Sequence, residues 1–261
     1  VRYDYVENGD CLELLKQLPN ESIDLTVTSP PYDNLRTYEG YEWDFEGIAK
    51  ELYRVTKNGG VIVWVVSDAT VNGSETGTSF KQALFFKKIG FNLHDTMIWE
   101  KPTFTATGSL CVRYASVFEY MFVLSKGRPK TFNPIKDRPN KTHGKKKHGT
   151  IRQEDGTVKK MSSIGKETNK FGQRFNVWHM ATEVSNSKRV HPAQFPESLA
   201  RDHILSWSNA GDVVLDCFIG SGTTAVACIQ TGRHFIGFEI SEKYCDIAKK
   251  RIEREKEEHD G

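Results

Sequence analysis

The segment that most restricts the folds open to this chain lies near its C-terminal end. Val213-Val214-Leu215-Asp216 reads as a strand, Thr223 to Thr231 as a helix, and Phe235 to Glu239 as the next strand. In the turn between the first strand and the helix, Gly220, Gly222 and Ala225 fit the spacing GxGxxG/A, and Glu239 stands 19 residues after Gly220. Glycines let a backbone approach a ligand, and a helix N-terminus favours an anionic group there. An acid closing the second strand is placed for the two hydroxyls of a ribose. The pattern predicts an α/β protein with a mostly parallel, doubly wound, Rossmann-like sheet and a nucleoside-containing cofactor.

The rest of the chain supplies strands and helices for such a sheet. Ile23 to Thr28 is a β-branched run that stops at Pro30-Pro31, so it reads as a buried strand running into a rigid turn. Phe45 to Val55 has helical apolar spacing, Asn58-Gly59-Gly60 is expected to end that helix, and Val61 to Val66 is apolar on both faces. A helix is predicted over Phe80 to Ile89. Asp95 to Glu100 and Val117 to Leu124 follow as strands with no helical stretch between them, an arrangement suited to antiparallel pairing at a sheet edge. Pro196 to Trp207 reads as a helix, and a final amphipathic helix from Ser241 is expected to fade into the charged tail Glu253 to Asp260.

The regular pattern breaks between Lys126 and about Lys188, where charge is segregated. Residues 126 to 174 hold 15 Lys+Arg against 4 Asp+Glu, while the remainder has 21 basic and 30 acidic residues. A basic block in an acidic body is what a polyanion-binding insertion looks like, although a solvated loop has the same composition. His143 and His148 flank Lys145-Lys146-Lys147 without acid or cysteine at ligand spacing, so no metal site is expected there. The five cysteines, Cys11, Cys111, Cys217, Cys228 and Cys245, form no CxxC pair and read as buried or idle thiols.

Thr28-Ser29-Pro30-Pro31-Tyr32 is the second segment that carries chemistry. The prolines fix the backbone and remove N–H donors, leaving carbonyls and the Ser29 hydroxyl to accept from a ligand. An exocyclic amine on a nucleobase is a poor nucleophile because its lone pair is delocalised into the ring. Accepting both its N–H bonds favours a pyramidal nitrogen, and Tyr32 offers a face for the base. Asp216 at the mouth of its strand would repel a pyrophosphate but suits the α-amino group and cationic sulfonium of S-adenosylmethionine. A cap for the following turn is the simpler role for it.

Together these segments resemble the amino-type DNA methyltransferases of the permuted β class, in which the SPPY segment precedes the S-adenosylmethionine segment. Asn8-Gly9-Asp10, Val190 to Glu197 and Gly232 to Glu239 add to the likeness, which covers nearly all of the chain outside the insertion. The resemblance implies that Asp216 and Gly220 lie along the methionine part of the cofactor. It places Glu239 on the ribose and Asp10 near the adenine, with His191 to Pro196 lining the methionine side. The cofactor-binding set is then Asp10, Thr28, His191, Pro192, Phe195, Asp216, Phe218, Gly220, Ser221, Gly222, Thr223 and Glu239, and the catalytic set Ser29, Pro30, Pro31 and Tyr32. The domains implied are a catalytic half (1–126), a target-recognition insertion (127–188) and a cofactor-binding half (189–261). Cys217 departs from the family's usual proline after the aspartate.

Substrate bases sit within duplex stacking, so such an enzyme flips the target nucleotide out, with double-stranded DNA as its partner. Arg36, with Tyr38 and Tyr41, is a candidate for closing over the flipped base, and Lys145, Lys146 and Lys147 for phosphate contacts. Trp178 either touches the substrate strand or anchors the insertion to the core. Ser29 before Pro-Pro-Tyr, where other members carry Asp, favours cytosine N4 over adenine N6. C5 methylation needs a Pro-Cys nucleophile that the chain lacks. A nicotinamide-dependent dehydrogenase would leave Ser29 to Tyr32 unexplained, and a non-catalytic nucleic-acid binder is the third class. No apolar run approaches spanning length and no signal-peptide pattern is seen, so a cytoplasmic location without membrane attachment is expected. Monomer or homodimer, and a cognate restriction endonuclease as partner, stay open.

Overall fold

β-Branched and aromatic runs without polar alternation produce a sheet that is covered on both faces. The computed structural model describes residues 2–31, 43–102, 112–182 and 195–260. They fall into two compact units, Val1–Asn133 with Asn176–Gly261, and Pro134–Phe175.

In the larger unit the elements run β1 (Tyr5–Asn8), α1 (Cys11–Gln17), β2 (Ile23–Thr28), α2 (Phe45–Val55), β3 (Thr56–Val66), the short hairpin β4 (Thr70–Val71) and β5 (Ser74–Glu75), α3 (Thr78–Lys88), β6 (Asn92–Glu100) and β7 (Phe118–Ser125). The smaller unit contributes β8 (Arg138–Pro139), β9 (Thr150–Arg152), β10 (Val158–Lys160) and β11 (Phe171–Gly172). The larger unit resumes with β12 (Val177–His179), α4 (Glu197–Trp207), β13 (Val213–Asp216), α5 (Thr223–Thr231), β14 (His234–Glu239) and α6 (Glu242–Asp260). One sheet has the order β1-β14-β13-β2-β3-β7-β6-β12. Its first five strands are parallel, β7 is antiparallel to both β3 and β6, and β12 pairs parallel with β6. The doubly wound sheet is thus present, and its order joins the two ends of the sequence, because β13 lies beside β2.

Leu25, Thr26, Val27 and Thr28 are all fully buried, which requires helices on both faces of the central strands. Helices α1, α2 and α3 build one layer, whose core holds Leu15, Ile48, Leu52 and Phe86 with Trp64 and Phe238 of the sheet. Helices α4, α5 and α6 pack on one another on the other side. Close packing there needs glycine at position 222, where φ is +88° and an added Cβ would sit 3.1 Å from the Ala248 Cβ.

Several boundaries differ from the sequence expectation. Asn58-Gly59-Gly60 does not end α2; Thr56 caps that helix, and the glycines lie inside β3. Gly59, at φ +81°, donates its N–H to the Lys126 carbonyl, so pairing with the residue that follows β7 draws these glycines into the strand in place of a helix stop. The edge beyond β6 is β12, which the sequence did not reveal. Helix α6 continues through the charged tail to Asp260. Among the described residues no helix is long and apolar enough to cross a membrane.

The smaller unit is one long antiparallel ribbon. β8 pairs with β11 and β9 with β10, while Lys146 bridges Glu167 between them. Backbone bonds from Gly144 to Thr168 and from Lys147 to Lys166 continue the pairing. No residue from 134 to 175 is buried.

Candidate active site

Three parallel strands, β2, β13 and β14, end side by side, and each ends in a polar residue that the fold buries. Thr28 closes β2, Asp216 closes β13 and Glu239 closes β14. The Thr28 hydroxyl donates to Asp216 Oδ1 at 2.6 Å, which joins the first chemistry-bearing segment to the last across 188 positions of sequence. Asp216 Oδ2 accepts from the Thr224 hydroxyl at 2.6 Å, and Oδ1 also accepts from the Phe218 N–H at 3.1 Å. The carboxylate therefore caps the turn that follows it and braces Thr28 as well. Only 2% of Asp216 is exposed. Desolvation outweighs the three donated bonds and pushes its pKa up to about 6.

Glu239 has a parallel arrangement. Its Oε2 accepts from the Gly220 N–H and its Oε1 from the Ser241 N–H, each at 2.9 Å. Burial raises this carboxyl too, against those backbone donors. Ile219, between Asp216 and Gly220, lies so close over Gly237 that any side chain there would collide with it. Asn8 donates through Nδ2 to the carbonyls of Glu239 and Ile240, and Gly9 N–H to that of Glu239, which ties the Asn8-Gly9-Asp10 motif to the end of β14. The Asp10 carboxylate accepts from the Glu13 N–H and caps α1.

No cation is among the groups that shift either carboxyl, so two buried acids at adjacent strand ends lack a positive partner within the described residues. Such a pair favours a ligand that brings positive charge to one and hydroxyl donors to the other. Beside them, Phe218 stands edge-on to Trp43 at 5.4 Å between ring centroids, and Trp43 lies 6.3 Å from Trp64. Trp64 is fully buried and donates its indole N–H to Gln82.

A profile of the family described as DNA methylase matches residues 23–250. The chain belongs to the N4/N6 DNA methyltransferase family. The methyltransferase is 54% identical to the orphan methyltransferase M.BamHII of Bacillus amyloliquefaciens over 94% of this chain and 90% of that protein. TTHA0409 of Thermus thermophilus, solved in complex with S-adenosyl-L-methionine, superposes with a TM-score of 0.64. It is 25% identical and covers 96% of this chain and 95% of its own. The cytosine-N4-specific PvuII methyltransferase shares the fold at a TM-score of 0.69 and 21% identity, covering all of this chain and 92% of its own. The family is dependent on S-adenosylmethionine, and the carboxylates of Asp216 and Glu239, which have hydrogen-bond donors but no cationic partner among the described residues, fit that cationic nucleoside.

The fold brings many of the expected residues together and removes others from the strand ends. Pro30 is buried, and Ser29 and Pro31 are half-buried immediately beyond Thr28. Tyr32, Arg36, His191 and Pro192 lie outside the described residues. Phe195 is buried just before α4. Thr28 supports Asp216 from within the core. The Ser221 and Thr223 hydroxyls are engaged by the Arg251 guanidinium of α6, at 3.1 and 3.4 Å, which makes them part of the helix packing.

Trp178 must be corrected as a DNA contact. It is 5% exposed on β12 and stacks on His203 at 4.4 Å, so it belongs to the core. Cys217 is also buried, with Sγ 3.8 Å from the Thr28 hydroxyl, and burial holds its thiol protonated. Thr224 and Trp43 were missed among the candidate site residues. The second threonine of Gly222-Thr223-Thr224 was the available sign of the first, one helical step below the glycine turn. Trp43 carried no local sign.

Proposed function

We propose that this methyltransferase modifies the exocyclic N4 amine of cytosine in double-stranded DNA, on a nucleotide flipped out of the stack. The observation that carries the reading is the Thr28–Asp216 bond, which starts the Ser29-Pro30-Pro31-Tyr32 segment one residue from the buried carboxylate of the cofactor loop. When bound, S-adenosylmethionine supplies an electrophilic methyl group on a sulfonium. Asp216 and Glu239 face the positive and the hydroxyl-bearing parts of that molecule, with Gly220 and Gly222 giving the backbone room to lie against it. Ser29 and the carbonyls of the proline turn accept the N–H bonds of the target amine, and Tyr32 stacks on the base.

Serine ahead of Pro-Pro-Tyr supports N4 over N6, since a neutral hydroxyl stands where adenine-specific members more often place a carboxylate. The basic ribbon supplies DNA contacts, with 12 Lys+Arg against 4 Asp+Glu in residues 134 to 175. The test is to incubate the protein with duplex DNA and labelled cofactor, digest the DNA to nucleosides and separate them. N4-methyldeoxycytidine is expected. N6-methyldeoxyadenosine would overturn the base assignment, and an unlabelled digest would overturn the activity.

A further inference from the structure

The tip of the ribbon has the form of a reading head. β9 and β10 pair with Arg152 opposite Val158, Ile151 opposite Lys159 and Thr150 opposite Lys160. Facing residues of an antiparallel pair share a face, so Arg152 and Lys160 project on one side and Lys159 on the other. All six residues are exposed, and neither face is covered by protein within this unit.

The turn that joins the strands is built to hold its shape. Gly156 takes φ +83° and donates its N–H to the Gln153 carbonyl at 3.0 Å, while Gln153 N–H donates to the Thr157 carbonyl at 2.7 Å. Asp155 accepts from both the N–H and the hydroxyl of Thr157. This turn presents Arg152, Gln153 and Glu154 with no ion-pair partner among the described residues.

An acid at the end of a basic ribbon decides where the tip goes. Against phosphates Glu154 is repelled, whereas the floor of the major groove offers amine donors on cytosine and adenine, which an acid accepts. The same floor offers guanine acceptors that suit Arg152 and an adenine edge that suits Gln153. A two-stranded ribbon fits the width of that groove. Lysines on opposite faces then meet the phosphates of its two walls.

We infer that Arg152, Gln153 and Glu154 read base edges in the major groove of the target duplex, with Lys159 and Lys160 holding the flanking phosphates. The inference rests on the DNA methyltransferase reading above and, within the insertion expected to recognise the target, names the residues that set sequence preference.

The test selects bound duplexes from a library with randomised positions, using the full chain and three variants, and scores methyl transfer separately. Arg152→Ala and Glu154→Gln should each relax preference at one base position by roughly 10- to 100-fold and leave the other positions unchanged. Lys160→Ala should weaken binding to all sequences alike and lower the slope of log affinity against log salt by about 1. Equal cofactor affinity in every variant shows that the body is intact. If Arg152→Ala and Glu154→Gln keep the parent's sequence preference while methyl transfer persists, the ribbon does not read bases and the inference fails. It fails as well if the parent protein enriches no sequence. A parent that selects a sequence but transfers no methyl group overturns the functional reading alone, and the variants then still decide the role of the ribbon.

Discussion

The two units of this protein solve opposite problems. The larger unit buries the central strands on both faces under helices α1 to α6 and encloses two carboxylates at their ends. The smaller unit buries no residue between 134 and 175 and pairs its backbone with itself along its length. One is held by apolar packing and contains the candidate cofactor site; the other is held by backbone hydrogen bonds and a short turn. A two-stranded ribbon without a buried side chain has little apolar packing to stabilise it in water. The lesson is that substitutions should act on different quantities in the two units.

The largest expected effect is on the body. Trp64→Ala empties a fully buried site beneath Trp43 and Phe86 and should cost about 3–5 kcal/mol in denaturant unfolding. A loss below 1 kcal/mol would show that the core repacks and would weaken the contrast. Ser29→Ala should lower the methylation rate roughly 100-fold, by analogy with removal of one positioned polar group in other active sites, while cofactor affinity stays within a factor of two or so. A large loss of cofactor affinity instead would move Ser29 from the base to the cofactor.

Asp216→Asn sharpens the comparison because its two expected effects have opposite sign. Burial raises the native pKa from 3.8 to about 6, so the ionised group destabilises the unliganded fold above that pH. The penalty shrinks as pH falls through about 6 and is gone below 3.8. Asparagine removes it, and the unliganded variant should melt later at pH 7.5, by up to about 3 kcal/mol of stability. Its cofactor affinity should drop, since the charge proposed to face the cationic part of the cofactor is lost. In the parent, cofactor affinity should fall as pH drops from 7 to 5, measurable by calorimetry. A pH-independent affinity would detach Asp216 from the cofactor.

The smallest effect on stability is expected in the ribbon. Replacing Lys145, Lys146 and Lys147 by alanine should leave the melting temperature unchanged within error and reduce the salt slope of DNA binding by up to about 3. An unchanged slope would mean that these lysines meet no phosphate.

Much of the body was legible in the sequence because its signals are local. The boundaries of β2, α2, β13 and α5 follow from β-branched runs and helical spacing. The Thr28–Asp216 meeting could be anticipated only as a requirement of the chemistry; strand order, a non-local property, delivers it. β1 and α1 were not recognised as elements, being 4 and 7 residues long, too short for a period to emerge. Trp178 was ambiguous because its burial depends on β12 pairing with a strand some eighty positions earlier. The ribbon was legible as charge but not as structure, since strands exposed on both faces show no alternation of apolar and polar residues.

The absence of buried residues in the 134–175 ribbon has a further consequence. Where a side chain supports nothing beneath it, replacing that side chain leaves the melting of the catalytic body alone. Target preference can thus drift, or be redesigned at positions such as Arg152 and Glu154, under almost no thermodynamic veto from the rest of the molecule.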